Sequence, residues 1–158
     1  MSIEKVRQYF KQFEIENRIK EFDVSSATVE LAAKALSCQP CRIAKSLSFK
    51  IDDNKAVIVV AAGDVRVDNK KFKSFFQKKL KMLSGDEVKN FTGHEIGGVC
   101  PFAVNNDVDV YLDVSLKRFD TVFPACGSSN SAIEMSMEEL EKYSSNFKKW
   151  IDVCSQPK

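Results

Sequence analysis

The sequence predicts a single α/β domain built on a mixed, largely antiparallel sheet. Three observations carry that expectation. Apolar and polar residues alternate over 45–51 and over 108–112, the period of a half-buried strand. Around these runs lie segments with apolar residues at helical spacing, two of them opened by a capping box. Strands and helices do not take turns along the chain, as they would in a doubly wound parallel sheet. The 158 residues, 44% of them hydrophobic and 29% charged, are enough for one proper core.

Residues 3–13 place Ile3, Val6, Tyr9 or Phe10, and Phe13 on one face, with Glu4, Lys5, Arg7 and Lys11 between them, as in an amphipathic helix. Ile19, Phe22 and Val24 mark a short strand. Ser25, Ser26 and Thr28 are N-cap candidates for a helix over 28–36, whose buried stripe is Val29, Ala32, Ala33 and Leu36. A strand from Lys45 to Ile51, a polar turn over 52–55 and the apolar run Ala56 to Ala62 form a hairpin. Asp68 caps a helix carrying Phe72, Phe75, Phe76 and Leu80. Ser84 and Glu87 have capping-box spacing and open a helix that stops near Gly93. Strands follow over 108–112 and 120–125, with a helical turn between them and a short strand at Ile133 and Met135. Ser136 and Glu139 form the second capping box, and its helix carries Leu140 and Tyr143. Trp150 packs the tail.

Charge and composition exclude several classes. A net charge of +2 does not by itself predict nucleic-acid binding. The six lysines between 70 and 81 fit either a phosphate-binding patch or a solvated helix face. The first twenty residues, amphipathic and charged, do not resemble a signal peptide, and no apolar run approaches the length of a membrane span. Five cysteines, an odd number without a framework, suggest reduced thiols and a cytoplasmic location. Cys38 and Cys41 have Cys-x-x-Cys spacing, but no second pair completes a zinc site, so neither metal nor cofactor is expected. Walker A, nucleophile-elbow and dinucleotide signatures are missing.

The stretch from Thr92 to Ala103 holds Gly93, Gly97, Gly98, Pro101 and the only histidine, His94. Such a loop can offer free main-chain N–H groups to an anion or a polarised carbonyl, or it can be a plain tight turn. Lys45 opens a strand at a helix–strand junction, where its side chain faces either a cleft or solvent. The small polar run from Cys126 to Ser131 suits a pocket wall or a turn.

Three segments carry a resemblance to a known family. Arg42-Ile-Ala-Lys45-Ser-Leu47 resembles the lysine-bearing segment of YbaK/EbsC-type proteins. Gly97-Gly98-Val99-Cys100-Pro101-Phe102 resembles their G-x-x-x-P loop, and Phe123-Pro-Ala-Cys-Gly-Ser128 their third pocket segment. The similarity runs in order from about residue 20 to residue 140. This family comprises trans-acting aminoacyl-tRNA deacylases and the related editing domain of bacterial prolyl-tRNA synthetases. The resemblance implies a partly barrel-like mixed sheet surrounded by helices, and hydrolysis of a mischarged tRNA, with tRNA-Pro carrying Ala, Cys or Ser as the expected substrate. It implies catalytic roles for Lys45 and for the main-chain amides of Gly97, Gly98 and Val99. Phe22, Val24 and Thr28 would line the amino-acid pocket, beside Cys100, Pro101 and Phe102. Gly127, Ser128 and Ser129 would flank the terminal nucleotide. The implied partners are the acceptor 3′ end of an aminoacyl-tRNA and prolyl-tRNA synthetase, with the protein a monomer or homodimer. Cys100 replaces the Ser or Asn of many relatives, Ala103 their Gly, and Ala132 an acidic residue of some. A thiol nucleophile at Cys100 is a further option. A catalytically silent module that binds a tRNA end or a synthetase is the alternative function.

Overall fold

A computed structural model describes residues 2–155. Along the chain it forms α1 (Ser2–Lys11), β1 (Lys20–Glu21), α2 (Val29–Leu36), β2 (Ile43–Asp52), β3 (Lys55–Ala62), α3 (Asn69–Phe76) and α4 (Gly85–Thr92). There follow β4 (Val108–Asp113), β5 (Thr121–Pro124), β6 (Ser131–Ala132), β7 (Met135–Ser136), α5 (Met137–Tyr143) and β8 (Phe147–Ile151). Short 3-10 turns occupy 40–42 and 114–118.

A six-stranded sheet in the order β7-β5-β2-β3-β4-β8 forms the framework, with a two-stranded β1–β6 sheet beside it. The sheet is mixed, as expected, but its antiparallel pairing is concentrated in the long β2–β3 hairpin and the short β5–β7 pair. β2–β5, β3–β4 and β4–β8 are parallel, because the intervening chain crosses over before rejoining the sheet. β3 sits near the middle. Its residues from Ala56 to Ala62 are all at most 2% exposed, which explains why that run is apolar without alternation.

The helices begin where their caps dictate. The Thr28, Asp68, Ser84 and Ser136 side chains each accept an N–H from the first turn, and both expected capping boxes close reciprocally. α3 stops at Phe76 because Gln77 adopts a left-handed conformation. Leu80 therefore lies beyond the helix in which it was expected. The chain from there runs extended along β2, bridging Phe49 to Met82. Only Lys20 and Glu21 of the expected 19–24 strand pair with another strand. β8, unexpected from the sequence, continues the sheet through the segment that holds Trp150. No helix among the described residues is long and apolar enough to cross a membrane.

Candidate functional site

β2 organises the site. Its first residues, Ile43 and Ala44, pair with β5, while its far end takes the 81–83 segment. A cavity of about 400 Å3 opens between these two neighbours. α2 roofs one side with Thr28, Val29 and Ala32. Met82, Leu83 and Val88 form the opposite side, and Phe123, Ala125 and Ala132 a third. The glycine loop closes the mouth with Ile96, Gly97 and Val99. Small residues on α2 let the helix pack closely on Ile43 and Phe123.

Lys45 and the loop therefore face one crevice. Lys45 also borders a second hollow of about 340 Å3, formed with Glu30, Gly63, Asp64 and Arg66. Its ammonium donates to the Val65 carbonyl. Burial pushes its pKa below the usual lysine range; Arg66 adds to that, while Asp64 and Glu30 oppose it.

The loop owes its shape to its glycines. Gly97 has φ +90°. Gly98 carries no such torsion, but it lies against the main chain of Gly127 and Ser128, where a side chain has no room. The two pocket segments that are far apart in sequence thus meet backbone to backbone. The Gly98 N–H donates to the Glu95 carbonyl at 3.0 Å, so it closes a turn and is not directed to the cavity. No acceptor for the N–H of Gly97 or Val99 is found among the described residues. Of the three amides expected at the site, the fold leaves these two free.

Several expected pocket residues lie elsewhere. Thr28 lines the cavity, but Phe22 and Val24 do not. Asn130 holds Phe22 through two main-chain contacts (2.8 and 2.9 Å), and Val24 is 61% exposed. Ser26 and Ala27 take their place. Cys100, Pro101 and Phe102 turn inward: Phe102 meets Phe10 edge to face with ring centroids 4.7 Å apart, and the Pro101 carbonyl accepts from the Ser145 N–H. Gly127 and Ser128 support Gly98 from behind, while Ser128 bonds Asn130 and Ser131 through its hydroxyl. Ser129 stands beside Gly97, and its carbonyl receives the Ser26 N–H at 2.6 Å, pinning the strand before α2 to the pocket.

The buried Cys100–His94 pair does not form a nucleophile and base. The Cys100 thiol is pushed up to about 12 by complete burial. The His94 ring reaches the Phe102 carbonyl at 2.8 Å through Nε2, which assigns the proton to that nitrogen. Burial lowers the His94 pKa and keeps the ring neutral. Its Sγ neighbour at 3.5 Å therefore faces an N–H, not a free lone pair. No group of three or more metal-binding side chains occurs among the described residues.

The residues missed from the sequence are mostly apolar: Met82, Leu83, Val88 and Ile96; Phe123, which opens the third pocket segment, does line the cavity. One signal was available, the run Lys81-Met82-Leu83 just before a cap, which resembles a helix end when read by period alone.

The sequence profile of the aminoacyl-tRNA editing domain matches residues 23–143, and the chain belongs to that family. The YbaK/EbsC resemblance read from the three motifs agrees with it. A Bacillus subtilis (strain 168) protein described as uncharacterized, YwhH, is 56% identical over 154 residues, with 98% of each chain covered. The proline–tRNA ligase of Bacillus cereus (strain AH820) is 26% identical over 127 residues, which span 79% of this chain and 22% of the ligase. A solved structure described as a candidate trans-editing enzyme for prolyl-tRNA synthetase superposes with a TM-score of 0.86 at 25% identity, covering 98% of both chains. A second, described as hypothetical protein APE2540, gives 0.82 at 25% identity, covering 96% of this chain and 99% of its own.

Proposed function

We propose that this protein is a trans-acting aminoacyl-tRNA deacylase that hydrolyses the ester of a tRNA, tRNA-Pro foremost, carrying a small wrong amino acid such as Ala, Cys or Ser. The observation that carries the reading is the shared crevice: Lys45 on one wall, the free amides of Gly97 and Val99 at the mouth, and, among the described residues lining it, no cysteine and no His, Asp or Glu to activate a hydroxyl. Such a crevice suits a reaction in which the protein stabilises charge and water attacks.

Water adds to the ester carbonyl, and negative charge gathers on the carbonyl oxygen. The Gly97 and Val99 N–H groups donate to it; each donor of this kind is worth on the order of 10² to 10³ in rate. Collapse of the tetrahedral intermediate expels the ribose hydroxyl and releases the free amino acid and the tRNA. Lys45, on its flexible stem, exchanges the Val65 carbonyl for an oxygen of the terminal adenosine and favours the anionic transition state. The walls of Val29, Ala32 and Leu83 accept a small side chain. A synthetase cannot strongly reject such an amino acid, since a methylene is worth only about 1–3 kcal/mol, and a second hydrolytic site completes the selection.

A binding module without activity is the competing reading, favoured by the Gly98 N–H being already engaged with Glu95. Incubation with alanyl-, cysteinyl- and seryl-tRNA-Pro separates the two. The deacylase releases amino acid from at least one of them; binding without release from any supports the silent module.

A further inference from the structure

The sheet leaves a main-chain edge open inside the cavity. β3 flanks β2 along one side. On the other, β5 reaches only Ile43 and Ala44. Further along, the Lys50 N–H donates to the Lys81 carbonyl (2.8 Å) and the Leu83 N–H to the Ser48 carbonyl (3.3 Å). Between these clamps, no strand among the described residues lies beside 45–47 on that side. Alternation along a strand decides which groups face the gap. Lys50 and Ser48 turn theirs to this side, so Ser46, two residues back, turns its N–H and C=O there too. Ser46 lines the cavity, with Ala125 on one flank and Leu83 on the other. Its hydroxyl is likewise buried without a hydrogen-bond partner.

We propose that this open edge binds the α-ammonium group of the aminoacyl ester, with the Ser46 carbonyl as acceptor. The inference rests on reading the cavity as the seat of an aminoacyl-tRNA 3′ end, and it adds the group that recognises the amino acid's nitrogen. The gap itself selects the occupant. From Ala44 to Ser48 is about 13 Å at the rise of a strand, and both ends are closed by chain, so an extended peptide has no room to pair. A single aminoacyl residue does have room, and it offers an N–H donor in the position of a strand's own. An N-acylated residue has lost the ammonium charge and brings its acyl group against the closing chain. Peptidyl-tRNA and other blocked aminoacyl-tRNAs are thereby rejected by the same edge.

Two non-hydrolysable ligands test this, 3′-alanylamino-3′-deoxyadenosine and its propionyl counterpart, which lacks only the amine. Their binding to the intact protein is measured by calorimetry and amide resonance shifts, at about pH 6.5, where the amine is protonated. The alanyl ligand is expected to bind about tenfold tighter or more, the ordinary worth of a hydrogen bond to a charged group. The Ser46 and Ser48 resonances should shift with it and not with the propionyl ligand. Equal affinities, or displacement of the alanyl ligand by an extended tetrapeptide, overturn the proposal. If neither ligand binds, both the edge and the deacylase reading fall. A preference for the alanyl ligand together with no hydrolysis of any mischarged tRNA leaves the edge standing and removes only the deacylase reading.

Discussion

Gly98 rests its main chain directly on that of Gly127: a Cβ at 98 would sit 2.7 Å from the Gly127 carbonyl carbon and 2.8 Å from its oxygen. This contact joins the loop at the cavity mouth to a segment some thirty residues later. Gly98→Ala must push the two apart. The expected cost is about 1–3 kcal/mol, seen as a lower thermal midpoint, together with reduced deacylation as the free amides shift. A variant as stable and active as the parent would show that the close approach is dispensable.

The neighbouring position predicts the opposite sign. Ala103 has φ +54°, a left-handed torsion that costs a non-glycine residue about 1–2 kcal/mol. Glycine carries no such cost at positive φ. Ala103→Gly should therefore relieve that strain and raise the thermal midpoint by a few degrees, read by calorimetry or circular dichroism. A fall in midpoint would contradict the strain assigned to Ala103.

These two positions show what was legible in the sequence. The pattern of glycine and proline marked the loop, and the caps at Thr28, Asp68, Ser84 and Ser136 fixed four helix starts. The hairpin of β2 and β3 followed from alternation and an apolar run. Position within the site was harder. Phe22 and Val24 match a pocket strand in period, yet Asn130 holds the Phe22 main chain away from the cavity and Val24 stands exposed. β8 escaped notice because Lys148 and Lys149 interrupt its pattern at a sheet edge that faces water. Most of the cavity's apolar lining was invisible because Leu83 and Val88 look like any buried residues of a short helix and its approach.

The lysine-rich segment gives a prediction about the substrate's phosphates. Lys78, Lys79 and Lys81 are exposed and lead the chain straight to Met82 and Leu83 at the cavity. Replacing all three with alanine should raise KM for an aminoacyl-tRNA and leave kcat nearly unchanged. The slope of log affinity against log salt should fall by about two. An unchanged slope would assign these lysines to a merely solvated surface.

Thiol reactivity tests whether Cys100 takes part. Cys100, Cys126 and Cys154 are buried, whereas Cys38 and Cys41 are half-exposed. Iodoacetamide at neutral pH should label Cys41 first and Cys38 more slowly, since burial raises the Cys38 pKa. The other three should react only after unfolding, and the labelled protein should keep its activity. Rapid modification of Cys100 with parallel loss of activity would reinstate a thiol nucleophile.

The direct test of the account is single-turnover deacylation by Lys45→Met on the mischarged tRNA that the parent protein cleaves best. Burial lowers the Lys45 pKa, so the charged side chain costs folding stability below that pKa, and the cost shrinks as pH rises through it. Methionine removes the cost, and at neutral pH the variant should be at least as stable as the parent. Its deacylation rate should nevertheless fall by a factor on the order of 10² or more. A stable Lys45→Met protein that deacylates at the parental rate would contradict the claim that the Lys45 cation and the free main-chain amides together perform the reaction.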